Sequence, residues 1–435
     1  MVRLFIAIIL HLVFVFPALA AEPVRLQEAF AVGSQYRVAS RLNGTGAVGL
    51  PSEKDKQPGE SLPLEGKSSI EYDERILEVD AAGVPTKSLR IYRVVDFHKT
   101  IGKQRFDTTI RPEVRRLVLL RNQQTKVPFS PDGPLQYSEI DLVRTDVFTP
   151  HLAGLLPAQA VQPGETWKAS ESAVQALTDL EKIDDGSLAC KFVDVVTLAG
   201  RRVASITLKG TVRGVGEDGP VRHEIDGRFY FDLESNHLSY LSFQGKQFFL
   251  DKDGKVTGSI EGTFTLTRQA NVKPDEFRDL RGLALEPDDA NTQLLYDNPD
   301  LGVRFLYPRR WRVGDSQGRQ ITIESPNGNG ILLTVEPIKS VPTAAQYLSE
   351  SQEFLKKQNA KLFGTQGPRE LQGGERRVEQ FAFEAELGGQ RLLLDYYVLH
   401  QKAAGATLAA RLVAGDAKVL RPEVERIAKS MVLSK

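Results

Sequence analysis

Between Tyr36 and Arg268 apolar side chains recur at every second position, and this pattern constrains the chain more than any other feature. Ser69-Ile70-Glu71-Tyr72 opens one run, and Ile76-Leu77-Glu78-Val79 carries it to a turn at Ala82-Gly83. Leu89-Arg90-Ile91-Tyr92-Arg93-Val94 alternates cleanly, as do segments 203–212, 224–233, 238–250 and 258–266. A period of two sets one face against a core and the other in water, the pattern of an antiparallel sheet. The turns Glu217-Asp218-Gly219, Ser235-Asn236 and Lys252-Asp253-Gly254 are short, so neighbouring strands are expected to follow one another as a meander.

Two stretches break the alternation. Ile140, Val143 and Val147 fall at near-helical spacing within 138–147, before Leu152-Ala153-Gly154-Leu155-Leu156-Pro157. Segment 170–182 offers Ser170 or Ser172 as an N-cap and places Val174, Leu177 and Leu180 three apart. Helices here are expected to cover one face of the sheet. Between them, Pro163-Gly164 forms a turn, with Trp167 expected as a buried anchor. Segment 43–60, rich in Gly, Ser, Pro and charge, reads as a mobile loop.

From 271 to 291 the alternation stops, and Pro274, Pro287 and acidic residues take over. The expected organisation is thus a β-rich domain over 21–272, an exposed linker over 273–293, and a second domain over 294–435. The second domain reads as strands over 303–307, 321–325 and 331–338, then a helix after Pro342-Thr343 that aligns Ala344, Leu348, Ser351 and Leu355. Strands over 377–386, 391–400 and 407–414 follow, then a closing helix that aligns Val424, Ile427, Ala428 and Met431.

Residues 1–21 have the three parts of a secretory signal. Arg3 precedes an apolar run from Leu4 to Phe16, and Pro17 and small residues then supply an A-x-A cleavage pattern near Ala20. The run falls short of the ~20 residues that span a bilayer. The expected address is therefore periplasmic or secreted, with no transmembrane segment in the mature chain. The single cysteine, Cys190, excludes an internal disulfide and sits among apolar residues, as an inert buried thiol would. The 56 basic and 56 acidic residues balance, so no overall field draws the chain to nucleic acid.

The run Tyr296-Asp297-Asn298-Pro299-Asp300-Leu301-Gly302-Val303-Arg304-Phe305-Leu306-Tyr307-Pro308-Arg309-Arg310-Trp311 resembles the opening of PsbP-like domains, where such a segment forms the first hairpin of an α/β/α sandwich. The resemblance covers about 140 residues, the C-terminal third, and implies that fold without a single activity. The physical reading agrees: Pro308 ends a strand because it lacks an N–H for the ladder, and Trp311 plugs the core. The N-terminal domain is loosely similar to antiparallel half-barrels such as LolA-type lipoprotein carriers. The fold class expected is therefore α+β and β-rich, a large antiparallel sheet or half-barrel with a few covering helices followed by a PsbP-like sandwich.

Four short patterns invite chemistry and read better as architecture. Gly314-Asp315-Ser316-Gln317-Gly318 matches a nucleophile elbow, but Gln320-Ile321-Thr322-Ile323 reads as a strand where the elbow requires a helix. Gly214-Val215-Gly216-Glu217-Asp218-Gly219 matches a dinucleotide fingerprint, yet a strand follows and its two carboxylates would repel phosphate. Asp251-Lys252-Asp253-Gly254 starts like a calcium loop but has Lys255 and Gly262 where ligands belong. His98, His151, His223, His237 and His400 have no zinc spacing; His223 and His237 flank a hairpin and are the pair expected closest to being cross-strand neighbours. Arg105, Arg111, Arg115, Arg116 and Arg121, interleaved with Asp107 and Glu113, read as a salt-bridged solvated face. The sequon Asn43-Gly44-Thr45 has meaning only in a eukaryotic secretory route.

No catalytic, cofactor-binding or metal residue is assigned and no cofactor is expected. The expectation is an exported, non-catalytic binding or interaction protein of the bacterial cell envelope, its partner an envelope protein or a small apolar ligand. The alternatives are a carrier of an apolar ligand such as lipid in the N-terminal domain, and an unrecognised envelope hydrolase.

Overall fold

The structure is a computed structural model that describes residues 22–49, 61–122, 125–145, 147–217, 219–314 and 316–434. The expected signal segment and residues 50–60 lie outside the described residues. In chain order the elements begin with β1 (Gln35–Gly49), β2 (Ser61–Val79), β3 (Pro85–Ile101), β4 (Gln104–Thr108), β5 (Arg116–Asn122), β6 (Thr125–Phe129) and α1 (Tyr137–Thr145). Then come β7 (Thr166–Lys168), α2 (Glu171–Thr178), β8 (Lys182–Leu198), β9 (Arg201–Gly216), β10 (Gly219–Asp232), β11 (His237–Leu250) and β12 (Val256–Ala270). The last third holds β13 (Leu294–Asn298), β14 (Val303–Tyr307), β15 (Arg312–Val313), β16 (Gln320–Ser325), β17 (Asn329–Pro337) and α3 (Ala344–Lys357). It closes with β18 (Lys361–Gln372), β19 (Arg376–Leu387), β20 (Gln390–Gln401), β21 (Ala404–Val413), α4 (Ala417–Ser430) and β22 (Val432–Leu433).

The chain divides into two compact units, each assembled from separate stretches. Unit 1 takes Met1–Ala29, Gly46–Ser61 and Phe148–Thr267; unit 2 takes Phe30–Thr45, Leu62–Val147 and Arg268–Lys435. The segment 273–293, expected as an exposed linker, falls inside unit 2. Its charged residues do face water, but Phe277 is buried with Leu89, Ile91, Val118 and Phe129, and Leu280 and Leu285 pack on the same cluster. Three apolar residues set among acidic ones are enough to tie a proline-rich segment down.

In unit 1 the meander is regular, in the order β12-β11-β10-β9-β8-β7, with each strand antiparallel to its neighbour. The alternation decides the register: Phe229 faces Ile206 on one side and Leu241 on the other, and Leu241 faces Leu266. All four are fully buried, so a slip by one residue would turn the whole row to water. Helix α2 is N-capped by Ser170, whose hydroxyl accepts from Ala173 N, and ends at Asp179 in the left-handed region. It buries Ala173 and Val174 and packs on β8 beside the 3-10 turn Thr149–Leu155. Trp167, expected as a buried anchor, is only half-buried, because β7 is three residues long and lies at the sheet edge; its Nε1 donates to Leu155 O at 2.8 Å.

In unit 2, one sheet runs β6-β5-β3-β2-β1 with β4 on β3. Residues 43–49, expected as part of a loop, belong to the strand β1; glycine there answers a close approach, since a Cβ on Gly46 would overlap Ser259 O within unit 1. A buried ion cluster lies at the centre of β2 and β3: Glu74 accepts from Arg90 Nε at 2.8 Å and from Ser88 at 3.0 Å, and the Arg90 guanidinium lies over the Tyr72 ring. Burial opposes ionisation of Glu74, but Arg90 and Arg268 outweigh it and hold the carboxyl below its usual range.

The last third of unit 2 forms a seven-stranded sheet, β15-β16-β17-β21-β20-β19-β18, and a small sheet, β13-β14-β22. Alternation on β19 and β20 sends Phe381, Phe383, Leu394 and Tyr396 to the face covered by α3, and Gln380 and Asp395 to the other, where Gln380 and Arg421 of α4 both donate to Asp395. Helices α3 and α4 therefore lie on the two faces of this sheet. Helix α3 starts with a capping box between Thr343 and Gln346. Trp311 is fully buried and its Nε1 donates to Glu423 Oε2 at 2.8 Å. Strand β18, absent from the expected order, is mostly exposed and polar, so its alternation carries little hydrophobic signal.

Candidate ligand-binding face

The rows of paired residues in unit 1 define one apolar face on β8–β12. Across it run Phe192, Ile206, Phe229, Leu241 and Leu266, then Cys190, Leu208, Gly227, Phe243 and Phe264. The other face carries Lys209, Asp226, Arg228 and Glu261, charged side chains in water. Cys190 is fully buried and burial pushes its thiol up to about 12, so it is an inert core residue as expected.

Toward the β9–β10 turn the same face changes character. Val221 and Ile225 remain buried, while Phe243, Phe249 and Ile260 are only partly covered. Glycines replace larger side chains at Gly210, Gly214, Gly245, Gly258 and Gly262. At three of these the reason is steric. A Cβ on Gly210 would overlap Ser187 O, one on Gly214 would overlap Lys182 O, and one on Gly258 would fall 2.5 Å from Ala47 O. Strands approach so closely only where a sheet coils strongly, and glycine permits it. The result is a partly covered apolar strip, or trough, in which glycines lie among Phe243, Phe249 and Ile260.

One imidazole stands in this trough. His223 pairs with Val212 on β9 and Gln247 on β11. Its Nε2 is buried and makes no hydrogen bond among the described residues, and burial pushes the imidazole down to about 4. A neutral ring with an unmet polar atom beside an amide, in otherwise apolar surroundings, is suited to one polar headgroup. His223 and His237 are not cross-strand neighbours: His223 lies opposite Gln247 near one end of the hairpin, and His237 opposite Asp232 at the other. The hairpin closes at 232–237, which leaves both histidines on its strands but at opposite ends.

The other motifs sit in turns. Gly214 and Gly216 end β9 and Gly219 opens β10, so a strand follows the glycines. Asp251 Oδ1 accepts from Asp253 N and Lys255 N, closing a tight hairpin turn. Ser316 precedes the Gln317–Gln320 bridge that leads into β16; Asp218 and Asp315 lie outside the described residues. In the arginine cluster, Arg105 pairs with Asp107, Arg111 with Glu139 and Arg116 with Asp132. Among the described residues no three His, Cys, Asp or Glu side chains gather as metal ligands. No helix of the described residues is long and apolar enough to cross a membrane.

No family model matches the sequence, and no curated protein matches it. Among solved structures the chain is similar to the PsbP of the cyanobacterium Synechocystis at 12% identity, over 33% of this chain and 92% of that one, with a TM-score of 0.26. It is similar to the Ran-binding protein Mog1p of Saccharomyces cerevisiae at 8% identity, over 32% and 95%, with a TM-score of 0.24. Lipovitellin, in a structure titled for lipid–protein interactions, is similar at 8% identity over 63% of this chain and 28% of that one, with a TM-score of 0.32.

Proposed function

We propose that this protein is a non-catalytic binding protein that works after export from the cytoplasm and holds an amphiphile with one apolar chain in the trough of unit 1. The observation that carries this reading is His223, a neutral imidazole with an unmet Nε2 set among Val221, Ile225, Phe249 and Ile260. The chain of the ligand lies along the glycine-floored trough and covers the partly exposed phenylalanines. Its carboxyl or hydroxyl end meets His223 and Gln247. Covering apolar surface supplies the affinity, at about 25 cal/mol per Å², and the polar pair fixes which end enters.

The test uses the full mature chain, stripped of bound lipid and titrated with the fluorescent fatty acid cis-parinaric acid. Saturable binding is expected, weakened about tenfold or more by Ile260→Glu, which places a charge in the trough. A flat titration, or one that Ile260→Glu leaves unchanged while circular dichroism shows an intact sheet, overturns the reading.

A further inference from the structure

The opposite, polar face of unit 1 carries a second depression that the trough does not explain. Its volume is about 360 Å³, and Leu198, Arg201, Val203, Tyr230, Asp232 and Tyr240 line it with Ser239 at its edge. Register places these residues together: Tyr230 is directly opposite Tyr240, Asp232 is opposite Val203, and Leu198 is opposite Arg201. The two tyrosine rings stack on each other across the strands, 5.6 Å between centroids and 28° from parallel, and both are partly exposed. Together they make an aromatic shelf on a face whose nearby positions carry Ser205, Thr207, Lys209 and Asp226.

The rim of the shelf is fixed. Asp232 is 1% exposed; its Oδ1 accepts from Glu234 N at 2.9 Å and Ser235 N at 3.0 Å, which leaves Oδ2 turned toward Arg201 at 3.4 Å. The Arg201 side chain is itself 57% exposed, so it presents N–H donors to solvent above the shelf. Ser239 Oγ donates to Tyr230 O at 3.3 Å and holds the strand pair in place.

We propose that this shelf is a carbohydrate-binding site that takes a neutral pyranose ring. A pyranose has an apolar face of C–H groups and an edge of vicinal hydroxyls. The first stacks on an aromatic plane, and the second pairs with planar charged groups such as guanidinium and carboxylate. The open face of the Tyr230–Tyr240 stack supplies the plane; Arg201 supplies donors and the tyrosine hydroxyls accept or donate as needed. Other ligand classes fit less well. An acyl chain would leave the Arg201 and Asp232 charges facing hydrocarbon. A phosphate would meet Asp232 and Glu234 beside the single Arg201.

The experiment is saturation-transfer NMR and calorimetric titration of the full mature chain with cellotriose and with triacetylchitotriose. At least one is expected to bind in the range of about 0.1–10 mM, with transfer strongest on ring C–H protons. Tyr240→Ala should weaken binding about tenfold or more, whereas Tyr240→Phe, which keeps the ring, should retain most of it. Binding of cis-parinaric acid by Tyr240→Ala, unchanged from the parent chain, would show an intact unit 1; should that probe bind neither protein, the unfolding midpoint of the variant serves instead. Failure of both sugars to bind, or equal binding by the Tyr240→Ala protein with unit 1 intact, overturns the proposal.

Discussion

At the scale of single residues, His223 ties stability to ligand chemistry. Its ordinary value is 6.5 and burial holds it near 4 in the folded chain. As pH falls below 6.5 the unfolded chain takes up a proton that the folded chain refuses, so stability present above that pH is lost on the way down to about 4. The loss assigned to this one group is at most about 3 kcal/mol. Urea unfolding from pH 7.5 to 4.5 should therefore show a steeper decline for the parent chain than for His223→Asn; equal slopes would mean that the imidazole is not desolvated. Little of this was legible in the sequence. His223 stood out in sequence only as one of two histidines flanking a hairpin, and what matters is that its neighbours across the sheet are Val212 and Gln247, facts of register. By contrast Cys190 was readable as buried from the apolar residues beside it in sequence, and Trp311 from the strand that ends at Pro308 just before it; both are fully buried.

At the scale of elements, alternation was the reliable signal and glycine the neglected one. Strand β14 was expected over 303–307 and occupies those residues, and α3 starts after the Thr343 cap as its spacing implied. Strand β18 was missed because it is exposed on both faces over much of its length, so no hydrophobic period marks it. The stretch 43–49 was misread because glycine was taken for loop where it serves close strand packing. Gly210 gives the sharpest test of that role. Its φ is not in the left-handed region, so Gly210→Ala meets no backbone strain; the cost is the overlap of the new methyl with Ser187 O. A loss of about 1–3 kcal/mol in thermal or urea unfolding is expected, along with weaker binding of the fatty acid as the coil of the sheet relaxes. A neutral substitution would show that the close approach of β8 and β9 is not needed.

At the scale of the whole molecule, the boundaries expected near 272 and 294 do not coincide with the compact units. The reason is physical and specific. Leu295 N donates to Leu135 O at 2.8 Å, Arg309 Nε donates to Thr292 O at 2.8 Å, and Arg309 Nη2 donates to Pro128 O at 2.5 Å. Arg309 is buried deeply enough that desolvation pushes its guanidinium down to about 10, so its carbonyl partners matter. No sequence pattern announces a contact between residues 128 and 309. A fragment of residues 294–435 made alone loses these partners and should melt below the full chain by circular dichroism; a fragment as stable as its parent would restore the simpler division.

The path of the backbone through the two units has a cost during synthesis. Residues 30–45 and 62–147 belong with the stretch that begins at Arg268, while residues 148–267 fold elsewhere. The opening strands therefore leave the ribosome more than a hundred residues ahead of the pieces that complete their core. Throughout that delay their unpaired edges are open to other chains, the exposure that makes long-range sheets slow to form and prone to aggregate. Refolding of the full chain from urea is therefore expected to be slow and to lose more material to aggregation as protein concentration rises.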